Sequence, residues 1–324
     1  MIFFVLSGFF IAGSAATAVR RGRWSWAEYA VSRLTRLWVV LIPALVLTLI
    51  LDKGGMWLTN GAGYDGRYHA WILSGPSAAA PPDLSITAFM GNLAFLQTVV
   101  TPVFGTNGPL WSLTYEFWYY FLFPFLLQPV HPGSTSGTRA IAVTVVGTAF
   151  FLLPGELLWA GLIWLFGYGA YCLASADTSY PFPRTGRFFT ISLASLCLFL
   201  VLSRFERLPY GDFLIGLAFA GTLPFLTRLK SGGQIYSGVA VHLSNVSYSL
   251  YLFHFPIIAF LFYGLLPKPR FQPSLSGYTG YAACLLLLLL ISFALWWLFE
   301  RRTPQVRDRV RRLFKLGRGA GKAR

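Results

Sequence analysis

The sequence predicts an all-α, polytopic transmembrane helix bundle of about nine spans. The first observation is composition: 56% of the residues are apolar and only 11% are charged, whereas soluble domains average about 25% charged residues. The second is length: about 20 helical residues cross the roughly 30 Å hydrocarbon layer of a bilayer. Apolar runs that reach or approach this length occupy residues 1–19, 37–51, 108–128, 140–155, 157–174, 188–203, 211–227, 243–265 and 278–299. A tenth run, 86–104, is interpreted as an interfacial or re-entrant segment.

The third observation is the distribution of the basic residues, which predicts orientation. If the first span ends in the cytoplasm, 20 of the 26 lysines and arginines lie on the cytoplasmic side and six on the other. This positive-inside bias places the C-terminus in the cytoplasm. Residues 301–324 contain ten of these basic residues and are predicted to be a cytoplasmic tail lying against anionic lipid. The net charge of +15 therefore indicates the lipid bilayer, and not nucleic acid, as the partner.

The span at residues 108–128, GPLWSLTYEFWYYFLFPFLLQ, carries a single charge, Glu116. A carboxylate inside an apolar span costs about 2.5 kcal/mol or more, so it is expected to face the protein interior or a wet cavity. Helical spacing places Ser112 and either Tyr119 or Tyr120 on the same face as Glu116. The three cysteines lie at unrelated spacings, which predicts neither a disulfide framework nor a metal site.

Two loops have alternative interpretations. Arg20–Arg36 is predicted to be the first cytoplasmic loop, in which Arg33 and Arg36 share a helical face at the membrane boundary. These arginines either bind the phosphates of an anionic cofactor or only set the topology. Residues 52–107 are predicted to be the longest loop, and are either a lid over a substrate site or a poorly ordered connector.

A second polar helix face lies in the span at residues 243–265. Ser247, Tyr251 and His254 follow at helical spacing and would present a hydroxyl, a phenol and an imidazole on one side. The histidine is either a structural link between helices or a proton-handling group. The last span ends in FERR, in which Glu300 is interpreted as the partner of the neighbouring arginines in a boundary ion pair.

Several of these stretches together resemble acyltransferase family 3, the integral-membrane O-acyltransferases that include bacterial O-antigen and exopolysaccharide acetylases. FFVLSGFFI at residues 3–11 is similar to the family's FFVLSGFLI, and SYSLYLFHFPI at residues 247–257 is similar to SYSLYLWHWPI. LWSLTYEFWYYFLFP at residues 110–124 resembles LWSLSVEEQFYLLFP, with Glu116 matching the first glutamate and Phe117 replacing the second. Arg33 and Arg36 match the family's RxxR, and FERR is similar to its terminal IER motif.

The resemblance implies a bundle of about ten spans in the bacterial inner membrane, forming one domain over residues 1–300 of this chain. Such enzymes pass an acyl group, usually acetyl from cytoplasmic acetyl-CoA, to a hydroxyl group, without a metal; the acceptor expected here is a surface glycan, a lipid-linked saccharide or a related metabolite. Family members carry a further helix with an essential histidine upstream of FFVLSGF, so this chain is expected to be truncated at its N-terminus. Glu116 cannot simply inherit the role of that histidine. By role, the implied site residues are Glu116 and His254 for catalysis, Arg33 and Arg36 for the acyl-CoA, and Ser7, Ser112, Tyr120 and Tyr251 for the substrate cavity.

Two alternative functions remain open at this stage. A proton-coupled transporter or flippase of a lipid-linked sugar would also need a polytopic bundle and one intramembrane acid. It would move its substrate without changing it covalently. A catalytically inactive family fragment is the other alternative, and it would bind or scaffold without transferring an acyl group.

Overall fold

The computed structural model of the protein describes residues 1–69, 74–129, 133–175, 186–205, 210–227, 234–265 and 273–316. Within these described residues, six continuous helical stretches are long and apolar enough to cross a membrane: Ile2–Arg20, Trp26–Thr59, Gly155–Ser175, Gly186–Arg204, Leu243–Leu265 and Leu275–Leu313. The shorter helices Ser136–Leu152 and Gly211–Leu226 are also apolar. The chain is therefore a multi-pass membrane protein, and the predicted all-α bundle is confirmed. Each of the nine predicted spans coincides with helical residues, and the number of crossings stays a prediction.

The helices are numbered in chain order. They are α1 (Ile2–Arg20), α2 (Trp26–Thr59), α3 (Ile86–Leu93), α4 (Trp111–Leu127), α5 (Ser136–Leu152), α6 (Gly155–Ser175), α7 (Gly186–Arg204), α8 (Gly211–Leu226), α9 (Gln234–Phe260), α10 (Leu275–Leu298) and α11 (Thr303–Leu313). Within α1, the five residues Gly8–Ala12 form a π-helical segment, and Leu261–Leu265 continue α9 in the same way. Short 3₁₀ turns occupy Gly108–Leu110 and Glu300–Arg302.

The chain divides into two compact units. The first unit contains residues 1–24 and 115–231, and so includes α1, most of α4, and α5 to α8. The second contains residues 25–114 and 232–324, with α2, α3, the first turn of α4, and α9 to α11.

Helix α2 is longer than the predicted span at residues 37–51, which corrects two of the loop predictions. It begins at Trp26 because Ser25 caps it: the Ser25 hydroxyl accepts the backbone N–H of Glu28 at 3.3 Å. It continues past residue 51 and stops at Asn60, whose left-handed φ of 50° ends the helix. Arg33 and Arg36 therefore lie within α2, in agreement with the shared helical face that their spacing predicts, although the predicted loop extended to Arg36, and Asp52 lies in α2 and not in the following loop.

In the first unit, α1 and α6 approach closely because two glycines lie at their crossing. A Cβ atom added to Gly8 would lie 1.9 Å from the carbonyl oxygen of Trp164, and one added to Gly167 would lie 1.9 Å from that of Val5. Small residues are the usual means by which membrane helices pack backbone against backbone. Around this crossing, a core cluster is formed by Val5, Phe9, Ile163, Ala170, Ala220 and Leu223.

In the second unit, the residues that precede α4 are anchored to α2 and α9. Asp52 of α2 is fully buried and accepts hydrogen bonds from the backbone N–H and the hydroxyl of Thr106, both at 2.7 Å. The Asn107 amide donates to the carbonyl oxygen of Leu252 at 2.9 Å. That oxygen has no helical donor because Pro256, four residues later, lacks an N–H. This part of the predicted loop is packed, so the poorly ordered connector is wrong for it, while residues 70–73 lie outside the described residues.

The C-terminal segment also packs on the second unit. Glu300 accepts hydrogen bonds from the backbone N–H of Ser249 at 3.0 Å and from its hydroxyl at 2.5 Å. The ion pairs among the described residues do not include Glu300, so the predicted boundary ion pair is wrong. Helix α11, at the start of the predicted basic tail, contacts α2 through an ion pair of 2.7 Å between Arg311 and Glu28. Residues 317–324 of that tail lie outside the described residues.

Candidate active site

Glu116 lies at the centre of a buried polar cluster in the first unit. The Ser7 hydroxyl of α1 donates a hydrogen bond to Glu116 Oε1 at 3.0 Å, and the Tyr120 hydroxyl donates to the same oxygen. The indole N–H of Trp164 on α6 donates to Ser7 Oγ at 3.1 Å. All four side chains are buried. The expectation that Glu116 faces the protein interior is therefore met in the folded unit.

The donor and acceptor roles in this cluster follow from the chemistry of the groups. An indole nitrogen is a donor only, so Trp164 must use an acceptor lone pair of Ser7. The Ser7 oxygen lies 3.0 Å from Glu116 Oε1 and 3.3 Å from the Tyr120 hydroxyl, and because a carboxylate oxygen only accepts, the Ser7 hydroxyl donates to Glu116. The carboxylate oxygen Oε1 therefore accepts hydrogen bonds from two hydroxyl groups, one on α1 and one on α4. A carboxylate fixed in this way is suited to accept a proton from a hydroxyl group that attacks an acyl donor.

Local structure explains why these side chains meet. Ser7 is the last residue before the π-helical segment of α1, and such segments often occur at functional sites. Gly8, which starts that segment, allows the close approach of α6 that brings Trp164 within reach of Ser7. Of the two tyrosines that the spacing allowed, Tyr120 contacts Glu116, whereas the Tyr119 hydroxyl donates to the carbonyl oxygen of Leu157 at 2.7 Å.

A second group of predicted site residues lies in the second unit. The Tyr251 hydroxyl donates to the carbonyl oxygen of Pro109 at 2.8 Å, and Ser112 Oγ is 2.5 Å from the Tyr251 hydroxyl. His254 Nδ1 lies 2.7 Å from the carbonyl oxygen of Tyr251. Because a carbonyl oxygen can only accept, Nδ1 carries the proton in the neutral ring, and Nε2 keeps a lone pair. Ser247, by contrast, is exposed.

Arg33 and Arg36 lie about two and three turns after the start of α2 at Trp26, in the second unit. The Arg33 guanidinium lies over the ring of Tyr29, 5.6 Å from its centroid, and that of Arg36 lies over the ring of Tyr248 at 6.0 Å. Cation–π contacts of this kind orient a guanidinium without using its hydrogen-bond donors. Arg36 is exposed and Arg33 is half-buried.

The predicted site residues therefore form two groups. Ser7, Glu116 and Tyr120 meet in the first unit, and the remaining ones belong to the second: Arg33, Arg36, Ser112, Tyr251 and His254. Among the described residues, no group of three or more histidine, cysteine or acidic side chains is placed to hold a metal ion.

Sequence reasoning missed two buried residues, Trp164 in the Glu116 cluster and Asp52 beside the segment that leads into α4. Trp164 is one of 11 tryptophans, and no spacing distinguishes it, because only the crossing of α1 and α6 brings it to Ser7. Asp52 was assigned to a loop because a charge follows an apolar run there. No local pattern would have placed it in α2, because the groups that donate to its carboxylate belong to Thr106, far along the chain.

A family model described as an acyltransferase domain matches residues 1–301 of the chain. The chain belongs to acyltransferase family 3. This match confirms the resemblance found in the sequence motifs. The protein is thus a multi-pass membrane protein of an acyltransferase family. Searches of curated proteins and of solved structures found no match to the chain. All eight predicted site residues lie inside the matched range.

Proposed function

We propose that this acyltransferase family 3 member is an inner-membrane O-acyltransferase. It transfers an acyl group, acetyl in the simplest case, from acyl-CoA to a hydroxyl group of a surface glycan or a lipid-linked saccharide. The observation that carries the proposal is the buried Glu116 carboxylate, held by Ser7 and Tyr120 inside the matched domain. A polar cluster of this kind is costly inside an apolar bundle, which favours a functional role.

In the proposed reaction, the acceptor hydroxyl oxygen attacks the carbonyl carbon of the thioester. A C–O bond forms, the C–S bond breaks, and the hydroxyl proton passes to Glu116 and finally to the CoA thiolate. Arg33 and Arg36 bind the phosphates of the CoA, because guanidinium groups pair with phosphate oxygens in a forked geometry. Polar contacts to the substrates come from the hydroxyls of Ser112 and Tyr251 and from Nε2 of His254.

The test is acyl transfer by the purified protein in proteoliposomes, with radiolabelled acetyl-CoA and a panel of saccharide acceptors. Glu116→Gln, which keeps the shape of the side chain, is expected to lower the rate by about 10²- to 10⁴-fold, the usual effect of removing an acid–base group. Arg36→Ala is expected to raise the KM for acetyl-CoA. Glu156→Gln and Arg187→Ala are the controls, since both side chains are exposed in the first unit.

The outcomes separate the alternative functions. Wild-type rates in both Glu116→Gln and Arg36→Ala would contradict these roles. Accumulation of an unmodified lipid-linked sugar inside vesicles, coupled to a proton gradient, would indicate a transporter. Binding of acceptor without any acyl transfer by the wild-type protein would indicate an inactive member.

A further inference from the structure

The first unit contains an apolar cavity that the proposed reaction does not use. Its volume is about 210 Å³, and it is lined by side chains of α4, α5 and α6. The lining includes Leu122, Phe123, Phe150 and Leu158. Such a surface excludes phosphates and free sugars, which would lose their hydrogen bonds to water there. The ligand chemistry that fits is a hydrocarbon chain.

The cavity adjoins the Glu116 cluster through one side chain. Trp164 contributes to the lining of the cavity, and its indole N–H also donates to Ser7, which in turn donates to Glu116. Phe123 packs against the same indole with ring centroids 5.2 Å apart. A hydrocarbon chain bound in the cavity would therefore contact Trp164, whose indole N–H bonds to Ser7 in the Glu116 cluster.

The shape of the cavity indicates how a ligand reaches it. It extends along α6 from Leu157 to Leu165, a distance of about 12 Å at 1.5 Å per residue. Phe150 and Leu162 at its edge are exposed, at 64% and 43%. Because these helices are embedded in a membrane, the open side faces hydrocarbon or another apolar surface, and a lipid chain can enter laterally.

The position of Trp164 distinguishes the donor from the acceptor as the source of this chain. In an acyl donor, the chain begins at the reacting carbonyl carbon, so it has to lie on the Glu116 side of the indole. Trp164 is only 1% exposed and separates that side from the cavity. In a lipid-linked saccharide, the sugar lies between the tail and the reacting hydroxyl, so the tail can lie behind the indole.

We propose, resting on the proposed function, that this cavity binds the hydrocarbon tail of a lipid-linked saccharide acceptor and that Gly161 keeps it open. Gly161 lines the cavity, and a Cβ atom added to it would lie 3.2 Å from the Tyr119 ring. A larger side chain at this position fills the space. Gly169, two turns later on α6, has no atom within 4 Å of an added Cβ, and it provides a matched control on the same helix.

The test is photolabelling of the purified protein in proteoliposomes, followed by peptide mapping. The probe is a polyprenyl-diphosphate-linked monosaccharide with a diazirine on its tail. We expect labelled peptides from α4, α5 and α6, and displacement by the unlabelled compound but not by phosphatidylethanolamine. Gly161→Leu is expected to lower labelling by about tenfold, since each methylene that loses its burial changes binding by a factor of about four. Gly169→Leu is expected to label like the wild type.

A second pair of variants keeps the test informative if Gly161→Leu does not fold. Ala149→Leu on α5 also fills the cavity, and Gly147→Leu on the same helix points to open space. Equal displacement by phosphatidylethanolamine would show an ordinary bilayer lipid, and displacement by octanoyl-CoA would show a donor chain. Either result overturns the proposal, as does labelling that is unchanged in both cavity-filling variants.

Labelling does not depend on catalysis, so the two proposals can fail separately. Cavity labelling without acyl transfer to any acceptor would overturn the proposed function and leave the tail site standing. Acyl transfer to a water-soluble saccharide, together with no labelling of α4 to α6, would overturn the tail site and leave the proposed function standing.

Discussion

The Ser7→Ala substitution tests the hydrogen-bonded arrangement around Glu116 directly. It removes one donor to the carboxylate and the acceptor of the Trp164 indole. A hydrogen bond to a charged group contributes about 1.5–3 kcal/mol. If the bond helps to hold Glu116 for proton transfer, the rate is expected to fall by about 10- to 150-fold, at 1.36 kcal/mol for each factor of ten. The loss should appear in kcat more than in the KM for acetyl-CoA.

The assay is initial-rate acetyl transfer in proteoliposomes, normalised to the amount of folded protein. Ser14→Ala is the matched control, because Ser14 is an exposed residue of α1 whose hydroxyl donates only to its own helix at Ile11. In a double-mutant cycle, Ser7→Ala is expected to add little to the loss already caused by Glu116→Gln, since both act through one carboxylate. Independent, multiplicative losses would refute the reasoning, and so would a Ser7→Ala rate equal to that of the wild type.

Two further substitutions test the packing of the units. Gly167→Ala forces α1 and α6 apart and is expected to destabilise the protein by about 1–3 kcal/mol, as overpacking does. The control is Gly169→Ala, whose added Cβ meets no atom within 4 Å and which should melt at the wild-type temperature. Equal melting temperatures of the two variants would contradict the close approach of the helices. Asp52→Ala leaves the buried N–H and hydroxyl of Thr106 without their acceptor, at a cost of about 1–3 kcal/mol for each donor. Asp52→Ala should therefore lower the melting temperature of the protein in detergent and speed amide hydrogen exchange in the residues that precede α4. The exposed control, Asp65→Ala, should do neither. Unchanged exchange in Asp52→Ala would argue against the anchoring role.

The helix boundaries depend only partly on local sequence. The apolar runs predicted helices at all nine places, because hydrophobicity and backbone hydrogen bonding in a bilayer are properties of a short stretch of chain. The run at residues 37–51 nevertheless ended too early, at Asp52. A charged residue after an apolar run usually indicates that the span has ended, unless a distant group satisfies the charge by hydrogen bonds. Here the donors to Asp52 are on Thr106, more than fifty residues away.

The candidate site likewise depends on both local sequence and long-range packing. Helical spacing placed Tyr119 and Tyr120 near Glu116 without distinguishing them. The packing of α4 against α6 distinguishes them, because the Tyr119 hydroxyl donates to the carbonyl oxygen of Leu157. The motifs likewise identified His254, while the tautomer of its ring depends on a carbonyl oxygen of its own helix. The sequence thus proposed candidate residues, while their hydrogen-bond partners depended on the fold.

By itself, the sequence determined the all-α membrane bundle, the family, and the residues that carry its motifs, because composition, span length and short motifs are readable within a local window. Only the tertiary structure decided that Ser7, Tyr120 and Trp164 converge on Glu116, that Asp52 is buried, and that an apolar cavity lies behind the indole. These features depend on which helices cross and how closely. Gly8 permits that approach at one crossing, but the partner it meets lies more than 150 residues away in the chain.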